Sequence, residues 1–249
     1  MHKYSVLQYI FNNYDVYRPP KIFDPECEYI LVTDDKNIKA ENVKIIIDDT
    51  LNNLPIWYKC YSVRFNLFKY CSTPVCFYLD GNVEIKESLN KIYQSFIDSK
   101  SELGLLIHPE RNSIIHEYFT WHKIRNYPLE RAIYILNYFI SQGYNINYKG
   151  LYEGKFRICK NTELNNKIDT QCLQELQKLS YNNDVERIDQ TVYSLILNNF
   201  YNNLKVMPIF PHILYNSGMF NIYPHNENIP YKNMIEFPYY YLFDKKIKL

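Results

Sequence analysis

Four apolar runs in the first eighty residues end alike, on carboxylates and amides. "YSVLQYIF" leads into "NNYD", "EYILV" into Thr33, Asp34 and Asp35, "VKIII" into "DD", and "VCFYL" into Asp80, Gly81 and Asn82. Each has the length and the β-prone content of a buried strand and stops in loop chemistry. A fifth run, "LGLLI", stops at His108. Helical patterns lie between and after them. "WYKCYSVRFNLFKYC" spaces Val63, Leu67, Phe68 and Cys71 at helical intervals, with Arg64 on a neighbouring face, and "IKESLNKIYQSFIDS" sets Leu89, Ile92, Tyr93 and Phe96 on one stripe. Strands alternating with helices predict an α/β protein with a mostly parallel central sheet flanked by helices. In open sheets of that kind ligands bind beyond the carboxyl ends of the strands, and those ends carry the polar residues.

Three more helices are expected further along. "PLERAIYILNYFISQG" starts at Pro128 and stops at Gly143, "DTQCLQELQKLSY" is capped by Asp169 or Thr170, and "ERIDQTVYSLILNNFY" repeats apolar residues from Val192. "YEGKFRIC" is strand-like. No repeat or linker interrupts the chain, so one domain over residues 1–249 is expected, with an irregular tail from about 208 where Pro and Tyr crowd together.

With 47% hydrophobic and 22% charged residues, a chain of 249 can bury a sizeable core. Its net charge of +1 and the lack of a basic block argue against nucleic acid as a partner. No apolar run reaches the roughly 18 residues of a membrane span, and the first residues do not resemble a signal peptide. A cytoplasmic location is the simplest expectation. Six cysteines without a C-x-x-C pair fit neither a zinc ribbon nor a disulfide framework, and are expected to be reduced. The 26 tyrosines suit stacking on bases and sugars, and equally reflect an AT-rich coding bias.

Three clusters could carry chemistry. The first is the set of strand ends: Tyr14 and Asp15, Asp34, and Asp80 with Asn82. Carboxylates there can hold Mg²⁺ or Mn²⁺, with Gly81 admitting a diphosphate close to the backbone. The same Asp-Gly-Asn can equally be a hairpin turn. The second is "HPERNSIIHEY", with His108, Arg111 and Glu117; Thr120 rules out H-E-x-x-H. The third holds Asp189 and Gln190, at the start of a helix. Asp189 could complement the helix dipole or act as a base or acceptor anchor. Arg64 and Lys69 are candidates to neutralise phosphate, or members of a solvated face.

The order of these motifs resembles the glycosyltransferase-like family of the plant turgor-regulation and mucilage-related proteins, which has bacterial and viral members. The likeness runs over residues 4–200 through "YSVLQYIFNNYDVYRPP", Thr33-Asp34, Trp57 with Arg64 and Lys69, "FYLDGNVEI", His108 to Glu117, and Tyr144, Gly150, Leu151 and Arg157. It ends at Ile188-Asp189-Gln190, where the family has Arg-Asp-Gln; here Arg187 stands one place early. The resemblance implies a GT-A-like nucleotide-diphospho-sugar transferase fold and transfer of a sugar from a nucleotide-sugar donor to a glycan or other hydroxyl acceptor. It implies that Tyr14, Asp15, Asp34, Arg64 and Asp80 bind the nucleotide sugar, and that His108 and Arg111 bind the acceptor. Asp189, Gln190 and Glu117 would be catalytic. Mn²⁺ or Mg²⁺ would be held by Asp80, Asn82 and His225, with His212 the alternative histidine. The Asp-Gln pair resembles that of retaining enzymes. A non-catalytic carbohydrate- or partner-binding protein on the same fold is the rival reading. A nucleotidyltransferase is disfavoured, because Asn12-Asn13 stands where a glycine-rich phosphate loop would.

Overall fold

The computed structural model describes residues 2–125, 127–148, 150–179 and 188–225. The chain opens with β1 (Tyr4–Ile10), β2 (Cys27–Thr33) and β3 (Lys44–Ile47), then α1 (Ile56–Arg64), β4 (Val75–Leu79) and a short β5 (Val83–Ile85). It continues through α2 (Asn90–Asp98), β6 (Leu103–Ile107), α3 (Ile114–Arg125), α4 (Leu129–Ser141), β7 (Tyr152–Lys160) and α5 (Glu163–Lys178). The last described elements are α6 (Asp189–Phe200), β8 (Val206–Ile209), α7 (Pro211–Tyr215) and β9 (Phe220–Ile222).

Seven strands form the central sheet in the order β3-β2-β1-β4-β7-β6-β8, and β5 pairs with β9 in a separate antiparallel ribbon. Only β7 runs against its neighbours β4 and β6; the pairs β1–β2, β1–β4, β2–β3 and β6–β8 are parallel. The mostly parallel α/β sheet expected from the apolar runs is therefore present. Side chains leave each strand on alternate faces. Leu7, Ile30, Val32, Cys76 and Tyr78 enter a core shared with α1 and α3 to α6. Tyr4, Val6, Tyr29, Phe77 and Leu79 enter a second core shared with α2, α7 and the β5–β9 ribbon. Burial on both faces explains why these strands are apolar almost throughout. Pro208, which has no N–H to give, sits in edge strand β8.

Three expectations need correction. The helix of the "WYKCYSVRFNLFKYC" stretch stops at Arg64: the Asn66 amide turns back to Val63 O (3.2 Å), and a separate 3-10 turn covers Leu67–Lys69. The "DTQCLQ" helix starts six residues earlier than Asp169, because Thr162 caps it by accepting from the Asn165 amide at 3.2 Å. The stretch from 208 is not irregular as far as residue 222, which ends β9. Among the described residues no helix is long and apolar enough to cross a membrane.

Candidate functional site

The strand order reverses between β1 and β4: β2 and β3 lie on one side of β1, and β4 on the other. The crevice beyond the carboxyl ends of β1 and β4 is thus a topological switch point, the usual ligand position in such sheets. Residues 12–15 and 80–82 meet there. Asn12 and Asn13 both adopt left-handed backbone, φ 53° and 52°, which Asn tolerates better than other side chains. This tight turn, closed by Tyr14 N–H to Phe11 O at 3.0 Å, does the work a glycine pair would do. Asp34 at the end of β2 accepts from the Asn12 amide (2.9 Å) and from Lys59 Nζ (2.9 Å), which also reaches Asn12 Oδ1 at 3.3 Å. Lys59 on α1 is 6% exposed. Asp15 accepts from His225 Nδ1 at 3.0 Å, and the Tyr14 ring lies between His225 (4.7 Å) and Trp57 (5.7 Å).

At the other end of α1, Arg64 joins two carboxylates from distant parts of the chain. Its Nη2 donates to Asp80 Oδ1 and to Tyr78 OH, both at 2.8 Å, and its Nη1 donates to Asp189 Oδ2. Tyr78 OH also donates to Asp80 Oδ1, and Tyr61 OH donates to Asp189 Oδ1 at 3.3 Å. Burial alone would lower the pKa of Arg64, but Tyr78, Tyr9 and Asp80 outweigh it and hold the guanidinium well above its ordinary value. Burial pushes the Tyr78 and Tyr9 hydroxyls far up, so both stay protonated. Gly154 on β7 makes room for the pair: a Cβ there would lie 3.0 Å from Arg64 Nη1 and 3.6 Å from Asp189 Oδ2. Arg157, three residues further along β7, donates to the Arg64 carbonyl and pins the end of α1.

The turn "DGN" is shaped from beneath. Gln8 Nε2 donates to the carbonyls of Asp80 (3.0 Å) and Val83 (2.8 Å). Gly81 has no left-handed backbone; a Cβ would lie 2.6 Å from both Tyr9 O and Ile10 Cγ1 of β1, so close packing against β1 already demands a glycine here. Asn82 is buried and bonded to the segment carrying His225. Its Nδ2 donates to Tyr223 O (2.6 Å), and the Tyr223 amide donates to Asn82 O (3.0 Å).

Asp80, Asn82 and His225 offer donor types that a divalent cation takes. Asn82 Oδ1 is buried with no hydrogen-bond partner among the described residues. Among the described residues, both bonds to the Asp80 carboxylate fall on Oδ1 and none on Oδ2. The carboxylate and amide oxygens suit Mn²⁺ or Mg²⁺, and the imidazole suits the softer of the two, Mn²⁺. No group of three His, Cys, Asp or Glu side chains placed to hold a metal occurs among the described residues. The expected set contains only two such side chains, with the neutral Asn82 completing it.

Beyond Asp189, the array continues through α6 and α3. Gln190 Oε1 accepts from the Gly154 amide at 3.4 Å, and its Nε2 donates to Glu117 Oε1 at 3.2 Å. Glu117, 2% exposed, also receives Arg111 Nε and, at 3.4 Å, Arg111 Nη2. Arg111 Nη2 lies 3.0 Å from His108 Nε2, while His108 Nδ1 accepts from the amides of Glu110 (3.2 Å) and Arg111 (3.1 Å). Burial, followed by Arg111, Lys155 and His116, pushes the His108 pKa down to about 3, so the ring is neutral at pH 7.

Arg64 thus joins Asp80 and Asp189 in one cluster, and Gln190, Glu117, Arg111 and His108 form a second, the two meeting at the Asp189–Gln190 peptide and beside Gly154. Tyr14, Asp15, Asp34 and His225 line the other end of α1. Lys69 joins none of these groups: it donates to Asp48 Oδ2 and to Thr50 Oγ1, on the loop after β3. His212 is exposed on α7 and stacks on Phe210. Arg187 lies outside the described residues. Two residues escaped the sequence reading. Lys59 gave no signal apart from its helix. Glu153, the second residue of β7, lies in the cleft beside Arg64, Gly154 and Asp189, where its Oε1 receives Lys155 Nζ (3.1 Å) and Tyr215 OH. Its Oε2 is buried without a partner among the described residues.

No protein-family model matches the chain, and no curated protein does. Among solved structures, it is similar to mouse xyloside xylosyltransferase 1 in its apo form, at 9% identity and a TM-score of 0.44 over 84% of each chain. It is also similar to the galactosyltransferase LgtC in complex with donor and acceptor sugar analogs, at 14% identity and a TM-score of 0.43, over 82% of this chain and 72% of that one.

Proposed function

We propose that the protein is a GT-A-like glycosyltransferase that moves a sugar from a nucleotide sugar to a hydroxyl of a glycan or similar acceptor, with a divalent metal assisting. One observation carries this reading: at the switch point of the sheet, Arg64 is buried between Asp80, at the end of β4, and Asp189, at the start of α6. The ordered motifs of the sequence point to the same residues.

The charge balance supports metal assistance. Arg64 is matched by two carboxylates, so it leaves no positive charge over for a diphosphate. Charge developing on the leaving nucleoside diphosphate is offset by a divalent cation when one is bound to Asp80, Asn82 and His225. Tyr14 and Asp34 face the nucleoside, with Lys59 fixing Asp34. Arg64 fixes Asp80 and Asp189 and lies near the diphosphate. His108 and Arg111 line the acceptor side.

In the transfer, the acceptor hydroxyl oxygen bonds to the anomeric carbon, the bond from that carbon to the diphosphate oxygen breaks, and the hydroxyl proton must leave. An inverting enzyme needs a free base for that proton. Asp189 is held by Arg64 and Tyr61, and Glu117 by Arg111 and Gln190, so neither is poised to take it. This favours retention, with the leaving diphosphate receiving the proton and Gln190, oriented by Gly154 and Glu117, beneath the anomeric carbon.

The test offers purified protein and Mn²⁺ a panel of nucleotide sugars, scored by release of nucleoside diphosphate. Turnover that Asp80→Ala abolishes is expected. If none is bound or turned over and Asp80→Ala changes nothing, the reading is lost. The pairing of Asp80 with Arg64 and the neutral Asn82 favour one rival, a carbohydrate- or partner-binding module on this fold. Calorimetry separates them, since such a module takes glycan without nucleotide or metal.

A further inference from the structure

Asp15 was expected to bind the nucleotide sugar, yet its carboxylate is spent on a ring from the far end of the described chain. The Asp15 side chain is 8% exposed, and its Oδ1 lies 3.0 Å from His225 Nδ1. A carboxylate accepts hydrogen bonds, so Nδ1 carries the proton and a neutral ring keeps its lone pair on Nε2. Tyr14 packs at 43° to the imidazole and restrains its plane. The ring is also tied to the "DGN" turn, because Tyr223, two residues before it, exchanges hydrogen bonds with Asn82. Pairing of Val83 with Ile222 fixes that register. Asn82 Oδ1, without a partner among the described residues, sits in the same turn.

We propose that Asp15 is a positioning residue. It holds His225 in the Nδ1–H tautomer and so presents Nε2 to the divalent cation shared with Asp80 and Asn82, and it does not bind the nucleoside. This rests on the metal-assisted reading above. A carboxylate behind a ligating histidine fixes the ring and raises its basicity, and losing one costs about 10–100-fold in metal affinity.

The experiment measures Mn²⁺ binding alone, by the loss of the free-ion electron paramagnetic resonance signal, and uridine diphosphate binding in chelator, by calorimetry. Asp15→Ala is expected to weaken Mn²⁺ binding about 10–100-fold and to leave chelator-phase uridine diphosphate binding unchanged. His225→Ala should weaken Mn²⁺ at least as much, and adding Asp15→Ala to it should cost nothing more. Asp15→Asn still accepts from Nδ1–H but carries no charge. It should show an intermediate loss, and it stands in if the alanine variant does not fold. Unchanged Mn²⁺ affinity in the folded Asp15 variants overturns the assignment, as does weaker uridine diphosphate binding in chelator. Wild-type protein that binds uridine diphosphate but no Mn²⁺ removes the metal from the proposed function as well. Wild-type protein that binds neither Mn²⁺ nor any nucleoside diphosphate of the donor panel overturns the whole glycosyltransferase reading.

Discussion

The guanidinium of Arg157 on β7 meets both carboxylate oxygens of Asp169 on α5, at 2.6 and 3.1 Å, in the core face of the sheet. Burial pushes Asp169 up, with Arg157 pulling it back down, and the two-point bond keeps the pair together. Removing one partner of such a pair strands the other charge in the interior. Asp169→Ala should therefore destabilise the fold by about 3–5 kcal/mol in urea melts. The double variant Arg157→Met/Asp169→Leu should lose less than Asp169→Ala alone.

Arg64→Lys tests the fork geometry of the site. Lysine keeps the charge but offers one ammonium where Arg64 uses separate nitrogens for Asp80 and Asp189. Loss of one charge-assisted bond, worth about 1.5–3 kcal/mol, should weaken nucleotide-sugar binding about 10–100-fold by calorimetry. Arg64→Ala should be no better.

Gly81→Ala puts a Cβ 2.6 Å from the Tyr9 carbonyl and Ile10 Cγ1. Backbone cannot yield as a flexible side chain would. The strain should cost about 1–3 kcal/mol in thermal melts and move Asp80, so activity should fall even at temperatures where the variant is folded.

His108 couples stability to pH. Its pKa in the folded protein, about 3, lies below the roughly 6.5 of an unfolded histidine. The unfolded chain therefore binds the extra proton first. The stabilisation is fully present above pH 6.5 and is lost as pH falls toward 3, with a slope of at most about 1.4 kcal/mol per pH unit. His108→Gln should flatten that part of the stability curve, measured by denaturant midpoints between pH 7 and 4.5.

The parallel half of the sheet was legible because strands buried on both faces must be apolar throughout, and the polar residues at their ends mark where burial stops. Helix α3 was hidden for the opposite reason. Ile114, Tyr118 and Trp121 are buried but His116, Phe119 and Thr120 are not uniformly polar, so no clean stripe emerges. The start of α5 was missed because its first turns bury Asn165 and Asp169, polar residues that look like loop until Arg157 and the carbonyls of Glu102 and Lys160 are seen around them. The strand-end candidates were legible as types. Their partners were not: the link from Arg64 to Asp189 spans 125 positions, and no local pattern encodes it. Lys59 and Glu153 went unnoticed because a charge next to a helix or strand boundary is ordinary until its burial is known.

The β5–β9 ribbon joins Asn82 to Tyr223 across 141 positions. A chain emerging from the ribosome can assemble β1 to β4 early, but the turn after β4 has no lid until β9 arrives. The proposed metal site is thus the last part of the described molecule to close, and fragments cut before β9 should carry its sheet without its chemistry.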